Sequence, residues 1–233
     1  RSGGRFSDCA VIVRRTSDWE GIADSVFARH GIPCFISRRS DAVKDPAVRL
    51  ITASLEAVGH GWRTEDVIEI LKTGLSPLTA EQCDTLEIYA SSWHIRGRRW
   101  YDEYEWNMNP SGYSSTLGSD DIQVLETVNA AREKLVPPLM LLDLGSSTVE
   151  RYCRAIYSYL LKLGLAERIA ATGEDEPVRL WNAIIDALDT LSSIAGELTV
   201  NADTMSKLVR LSLAGVTIGR IPTCVDEVTV GAA

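Results

Sequence analysis

A single change of pattern constrains this chain more than any other feature. Residues 9–14, Cys-Ala-Val-Ile-Val-Arg, form a short β-branched apolar run without a turn signal, which predicts a strand buried on both faces. Ser17 and Glu20 make a capping box for a helix to His30, on which Ile22, Val26 and Phe27 keep helical spacing, and Gly31 supplies a left-handed stop. A second short strand follows at 33–36. Strand, helix and strand in this order define a βαβ unit and predict a parallel sheet. The β signals then vanish for about 180 residues and return only at 225–230, Val-Asp-Glu-Val-Thr-Val. A lone strand needs partners, and the only others lie far upstream. The economical topology is one partial α/β unit interrupted by a helical insertion, with the first and last segments in one sheet.

The intervening stretch reads as helices from their caps. Asp45-Pro46 opens one to about Val58, Thr64 caps one that Gly74 ends, and Thr79 with Gln82 makes a capping box for one to about Ser92. Ser119 starts a helix to about Leu135, Ser147 with Glu150 one to Leu163 before Gly164, Pro177 one to Ala195 before Gly196, and Asn201 the last. The expected class is mainly α with a partial parallel α/β unit: residues 1–39 in the α/β part, 40–220 in an all-helical insertion, and 221–233 as a returning strand.

Composition narrows the functions open to such a chain. Its 24 Lys+Arg against 32 Asp+Glu give a net charge of −8 in 233 residues, which excludes a uniformly basic nucleic-acid binder. The charge is uneven: residues 1–39 hold seven Lys+Arg and four Asp+Glu, a net of +3 that leaves −11 for the rest. The longest apolar stretch, 135–142, contains Pro137 and Pro138 and falls far short of the roughly 18 residues of a membrane span. The first residues, Arg-Ser-Gly-Gly-Arg, have no initiator Met and no apolar run after them, so they read as an internal cut rather than a secretory signal. Cys9, Cys34, Cys83, Cys153 and Cys224 lie at least 25 residues apart, which fits a reducing, cytoplasmic compartment rather than a disulfide framework or zinc site. His30, His60 and His94 are equally scattered.

Particular strings carry a resemblance. The 9–14 run followed by Gly-Ile-Pro-Cys-Phe-Ile at 31–36 is similar to the second motor domain of UvrD-like superfamily 1 helicases, where an "AVLxR" strand, a helix and a "GIPY" strand precede a helical insertion called 2B. Leu-Lys-Thr-Gly-Leu-Ser-Pro-Leu at 71–78, Ile-Arg-Gly-Arg-Arg-Trp at 95–100, Lys-Leu-Val-Pro-Pro-Leu at 134–139 and the segment 221–231 resemble the AddB (RexB) family of bacterial ATP-dependent helicase/deoxyribonucleases. The resemblance covers essentially the whole chain. It implies a segment of the second motor domain with a large 2B-type insertion, DNA as ligand and an AddA-type helicase-nuclease as partner. For the longer AddB protein it implies ATP, magnesium and an iron–sulfur cluster; this segment carries no G-x-x-x-x-G-K-[ST] phosphate cradle and no cysteine cluster, so no cofactor is expected here.

Two readings compete at each candidate site. Arg14 ends the first strand, where ligands of open α/β sheets gather, and matches the arginine of the helicase motif that implies a phosphate contact. Arg15 and Thr16 follow, Thr16 replacing the asparagine common in UvrD-like relatives; ordinary strand-end arginines are the alternative. Arg96, Arg98, Arg99 and Trp100 form the densest basic cluster, suited to phosphates and to stacking on a base. Equally, Asp102, Glu103 and Glu105 could pair with those arginines and fold the loop 93–118, with Tyr101, Tyr104, Trp106 and Tyr113 as packing anchors. Arg38 and Arg39 sit at the junction with the insertion, as backbone contacts or as hinge charges. No residue set has the spacing of a catalytic site. A small α/β enzyme with a helical lid is the alternative class, and it predicts at least four sheet strands and an apolar pocket lined from both parts; a fragment of a UvrD-type helicase is another.

Overall fold

A computed structural model describes residues 4–19, 21–36, 39–113, 116–173, 175–219 and 226–232. Strand β1 (Ala10–Val13), helix α1 (Ile22–Arg29) and strand β2 (Cys34–Ile36) come first. The chain then passes through β3 (Arg39–Asp41) into helices α2 (Pro46–Gly59), α3 (Thr64–Leu71), α4 (Ala80–Ser92) and α5 (Ser119–Leu139). After β4 (Ser147–Thr148) come α6 (Val149–Lys162), α7 (Leu165–Thr172) and α8 (Asp175–Ala195). The last elements are β5 (Thr199–Val200), α9 (Ala202–Leu213), β6 (Thr217–Gly219) and β7 (Val228–Ala232).

The last strand is the centre of the parallel sheet. β7 lies between β1 and β2, with Val230 opposite both Val11 and Ile36. Helix α1 covers one face, where Ala23, Ile36 and Val230 are buried with Phe27 and Cys34 against them. Asp226 accepts the Ser7 amide at 2.8 Å and so ties the returning chain to the segment before β1. The expectation that β1 is buried on both faces fails: Val13 is buried, but Ile12 is 75% exposed. Among the described strands β1 is at the edge, with β7 as its one neighbour, and α1 packs against β2 and β7 rather than over it. The boundaries also differ, because β7 starts three residues later than the valine pattern suggests.

The chain leaves and re-enters this unit through a two-stranded antiparallel ribbon, β3 with β6, in which Ser40 faces Ile218. Beyond it lies one helical core. On α2, Val48, Leu50, Ile51, Leu55 and Ala57 are buried. The buried Ser54 hydroxyl hydrogen-bonds the Tyr159 hydroxyl of α6 at 2.7 Å. Most helix starts follow their caps: Asp45 accepts the Ala47 amide at 2.7 Å, Thr79 and Gln82 form the capping box, and Asn201 accepts the Thr204 amide at 2.9 Å.

Three boundaries differ. Thr64 is the first residue of α3 rather than its cap, because its hydroxyl donates instead to the Ile95 carbonyl. Ser147 is paired in the β4–β5 ribbon, so Thr148 caps α6. Gly164, with φ of +65°, joins α6 to the unforeseen α7 instead of ending a helical region. The Ser17–Glu20 box involves Glu20, outside the described residues; a 3-10 turn at Thr16–Trp19 precedes α1 instead of a continuous helix. Helix α5 continues past Leu135 through Pro137 and Pro138. No described helix is long and apolar enough to cross a membrane.

Candidate nucleic-acid interface

The parallel sheet gathers the carboxyl ends of its strands at one edge, and Arg14 stands there, immediately after β1. It is exposed and makes no ion pair among the described residues. Its neighbour Arg15 is engaged, with Nη2 2.9 Å and Nε 3.0 Å from the Asp18 carboxylate. An exposed pair of this kind contributes about 0–1 kcal/mol, but it orients Arg15 along its own turn. Thr16 opens that 3-10 turn and is half-buried. Arg38 lies outside the described residues, and of Arg39 only the backbone is described, paired with Gly219.

The loop 93–118 is held by a residue that sequence reasoning missed. Arg132 reaches from α5 to donate to the carbonyls of Tyr104, at 2.7 Å, and Asp102, and its guanidinium lies 5.3 Å from the centre of the Trp106 ring. One turn back on the same helix, Asn129 accepts the Trp106 amide and donates to the Trp106 carbonyl, both at 2.9 Å. The loop acids expected to pair with Arg96, Arg98 and Arg99 do not: Asp102 faces Arg132 at 3.6 Å, and none of the three arginines forms an ion pair among the described residues. The signal was spacing, since Asn129 and Arg132 at i and i+3 share a helix face.

Trp100 is enclosed. It is 0% exposed, donates from Nε1 to the Ile95 carbonyl at 3.1 Å and packs edge-on against Trp106 at 5.2 Å. A base cannot reach its face, so the expected stacking role is corrected to a core role. Of the other aromatics, Trp106 is a packing anchor, Tyr101 leans on Trp62 at 5.3 Å and Tyr113, though exposed, meets Trp93 edge-on at 5.4 Å, but Tyr104 is 79% exposed. The Tyr89 hydroxyl closes the loop by donating to the Met108 carbonyl and accepting its amide; burial holds this phenol above its usual pKa range and keeps it a donor.

Arg96, Arg98 and Arg99 thus remain on the surface of a rigidly sewn loop, Arg99 turned toward the Met108 sulfur at 2.9 Å. Arg96 lies beside Arg63, which carries no motif and went unread; the two line one cleft with Thr64, Glu65 and His94. This arrangement suits anions: exposed guanidinium groups stand in front of a buried scaffold.

Two further groups bear on chemistry. An apolar pocket of about 350 Å³ is lined by Pro46, Leu75, Leu165, Ile169, Pro177 and Leu180, with Asp45 and Glu176 beside them, all from the helical part. Burial, with Glu176 adding to it, raises the Asp45 carboxyl above its ordinary pKa. The parallel sheet has three strands among the described residues. A lidded enzyme needs four strands and a pocket between the two parts, and this pocket and this sheet do not match it. Cys153 is buried, and burial, with Asp189 and Glu150 in support, pushes its thiol up to about 11, which disfavours a thiolate. Cys9, Cys34, Cys83 and Cys153 form no disulfide, and among the described residues no group of three or more His, Cys, Asp or Glu could hold a metal ion.

The described residues define a mainly helical protein with a small parallel sheet and exposed arginines at the sheet edge and on the 93–118 loop. No protein-family model matches the chain. It is 31% identical over 244 residues to the B subunit of the ATP-dependent helicase/deoxyribonuclease of Acetivibrio thermocellus, an alignment covering 98% of this chain and 21% of that protein. The corresponding B subunits of Clostridium botulinum strain Hall and of Ruminiclostridium cellulolyticum are each 28% identical, across 98% and 99% of this chain and 21% of their own length. The chain belongs to this family of helicase/deoxyribonuclease B subunits, AddB/RexB, and spans about a fifth of the length of the curated relatives it matches.

Proposed function

We propose that this chain is the part of an AddB-type helicase/deoxyribonuclease protein that lines the path of DNA and braces the assembly, with no catalytic residue of its own. The longer protein would act with an AddA-type helicase-nuclease at double-strand DNA breaks, in the cytoplasm, and feed homologous recombination. Nucleotide, magnesium and iron–sulfur chemistry belong outside this segment in that account. Residues 1–39 and 221–233 would form part of a second motor domain and 40–220 a 2B-type insertion, which the β3–β6 ribbon between sheet and helices supports.

The observation that carries the proposal is Arg14. In a chain of net charge −8 it stands exposed and without an ion pair among the described residues, at the edge where the parallel strands end, while Arg15 beside it is held by Asp18. Arg98 offers a second free guanidinium on the sewn loop. Each phosphate contact to a single strand contributes about 0.7 to the slope of log affinity against log salt. Fluorescence anisotropy of a labelled single strand over a salt series therefore tests the reading. Arg14→Ala and Arg98→Ala are each expected to weaken binding and flatten the slope by about that amount. Indifference to both changes would leave a scaffold without a DNA-facing role.

A further inference from the structure

We infer that the cleft between the α2–α3 turn and the start of the 93–118 loop is a phosphate-binding site, in which Arg63 and Arg96 grip one phosphate from opposite walls and His94 closes it. The inference rests on the proposed DNA-facing role and names the chemistry of one part of it. The cleft is open to solvent and offers about 560 Å³, more than a bare phosphate fills, so there is room for the sugar attached to it.

The two walls are built by different segments and pinned to each other. Helix α2 ends at Gly59, and His60 is fixed by Asp66 at 3.0 Å. The chain then turns through Gly61 and Trp62, both with positive φ, to set Arg63 at the start of α3. On the other wall His94 also has a positive φ, of 48°, and Ile95 is fully buried. The Ile95 carbonyl accepts from Trp100 Nε1 and from the Thr64 hydroxyl, and the Gly97 amide donates to the Trp62 carbonyl at 2.9 Å. These bonds pin the backbones of the two walls to each other, next to Arg63 on one and Arg96 on the other. Trp62 and His94 are the non-glycine residues with left-handed backbone among those described, one on each wall. Such conformations persist only where the surroundings over-determine them.

The charges in the cleft are unbalanced toward the positive. Arg63 and Arg96 line it, with His94, against a single carboxylate, Glu65, and neither arginine forms an ion pair among the described residues. Two guanidinium groups that share a cleft with one carboxylate leave a net positive charge, and an anion bound by both offsets it. The α3 N-terminus adds to the field. Arg63 provides no side-chain cap, and the Thr64 hydroxyl that would supply one is spent on Ile95, so first-turn amides of α3 have no side-chain acceptor from the cap position. The phosphate of a DNA backbone and free inorganic phosphate share this chemistry, and the test separates them.

The chain is measured in two ways: anisotropy with a single-stranded oligonucleotide over a salt series, and ¹⁵N-detected ring shifts of His94 during titration with inorganic phosphate. For Arg63→Ala and Arg96→Ala we expect DNA affinity to fall roughly three- to tenfold each, with the salt slope lowered by about 0.7. Arg63→Lys should retain part of the affinity, because it keeps the charge and loses the fork. His94 should shift with phosphate in the wild type and in Arg14→Ala, and not in Arg63→Ala/Arg96→Ala. If both single variants bind DNA like the wild type while Arg14→Ala is weakened, the cleft is overturned and the DNA-facing role stands. If the wild type binds no DNA, that role fails. The phosphate titration then decides the cleft alone: saturable His94 shifts lost in the double variant support a free-phosphate site, and unchanged shifts overturn it.

Discussion

The Arg132 guanidinium lies 5.3 Å over the Trp106 ring, and its side chain is only 12% exposed. This contact joins α5 to the segment after the 3-10 helix Gly97–Trp100, where Tyr104 and Trp106 lie outside regular secondary structure. Removing the side chain leaves the Tyr104 and Asp102 carbonyls without their donor and strips one face of the indole. Arg132→Ala should therefore lower stability by about 2–4 kcal/mol in urea unfolding. Arg132→Lys should recover less than half, because an ammonium cannot span both carbonyls and lie flat on the ring. A loss below about 0.5 kcal/mol would mean that the loop is held by something else.

The Ser54–Tyr159 bond is fully enclosed between α2 and α6. Tyr159→Phe leaves the Ser54 hydroxyl buried without its partner and should cost about 1–2 kcal/mol. Adding Ser54→Ala should restore part of that loss. A double variant that sums the two single losses would contradict a direct coupling.

Gly59 is tested by the sign of an effect. A glycine near a helix end usually gains about 0.4–1 kcal/mol on replacement by alanine. Here a Cβ would sit 3.0 Å from the Asp203 backbone nitrogen, where α2 meets the start of α9. Gly59→Ala should lower the melting temperature. A rise would show that α9 can move away at no cost.

Stability should fall on the alkaline side. Burial first, then Asp189 and Glu150, raise the Cys153 thiol from 9.0 to about 11, and burial also raises the Tyr89, Tyr152 and Tyr159 phenols. These groups stay protonated in the folded chain while the unfolded chain loses their protons. Their contribution is full below the unfolded values and is lost as pH rises through the folded ones, starting near pH 9 for Cys153. Urea unfolding from pH 8 to 11 should show the decline, at up to about 1.4 kcal/mol per pH unit for each titrating group. Cys153→Ala should remove the part that begins near pH 9, and an unchanged profile in that variant would assign the decline to the tyrosines alone.

Much of the architecture was legible because it is local. Asp45, Thr79 and Asn201 act on amides two or three residues ahead, so their caps could be read directly. What was misread depends on residues distant in sequence. Thr64 is drawn away from its cap by Ile95, Ser147 by Val200, and the exposure of Ile12 follows from β7 arriving as the only neighbour of β1 among the described strands. The candidate site shows the same division. Arg14 could be placed at a strand end from its own segment, whereas the acids after Trp100 gave a plausible pairing for Arg96, Arg98 and Arg99 that Arg132, some 30 residues away, makes unnecessary. Arg63 gave no signal at all, because its place beside Arg96 exists only once Gly97 is bonded to Trp62.

The most direct measurement of the account is amide hydrogen exchange of the chain with and without saturating single-stranded DNA. The account predicts slowed exchange confined to residues 14–16, 61–66 and 94–99, with the apolar pocket around Leu165 and Leu180 unchanged. Unaltered exchange throughout, or protection restricted to other segments, would contradict a DNA path along these arginines.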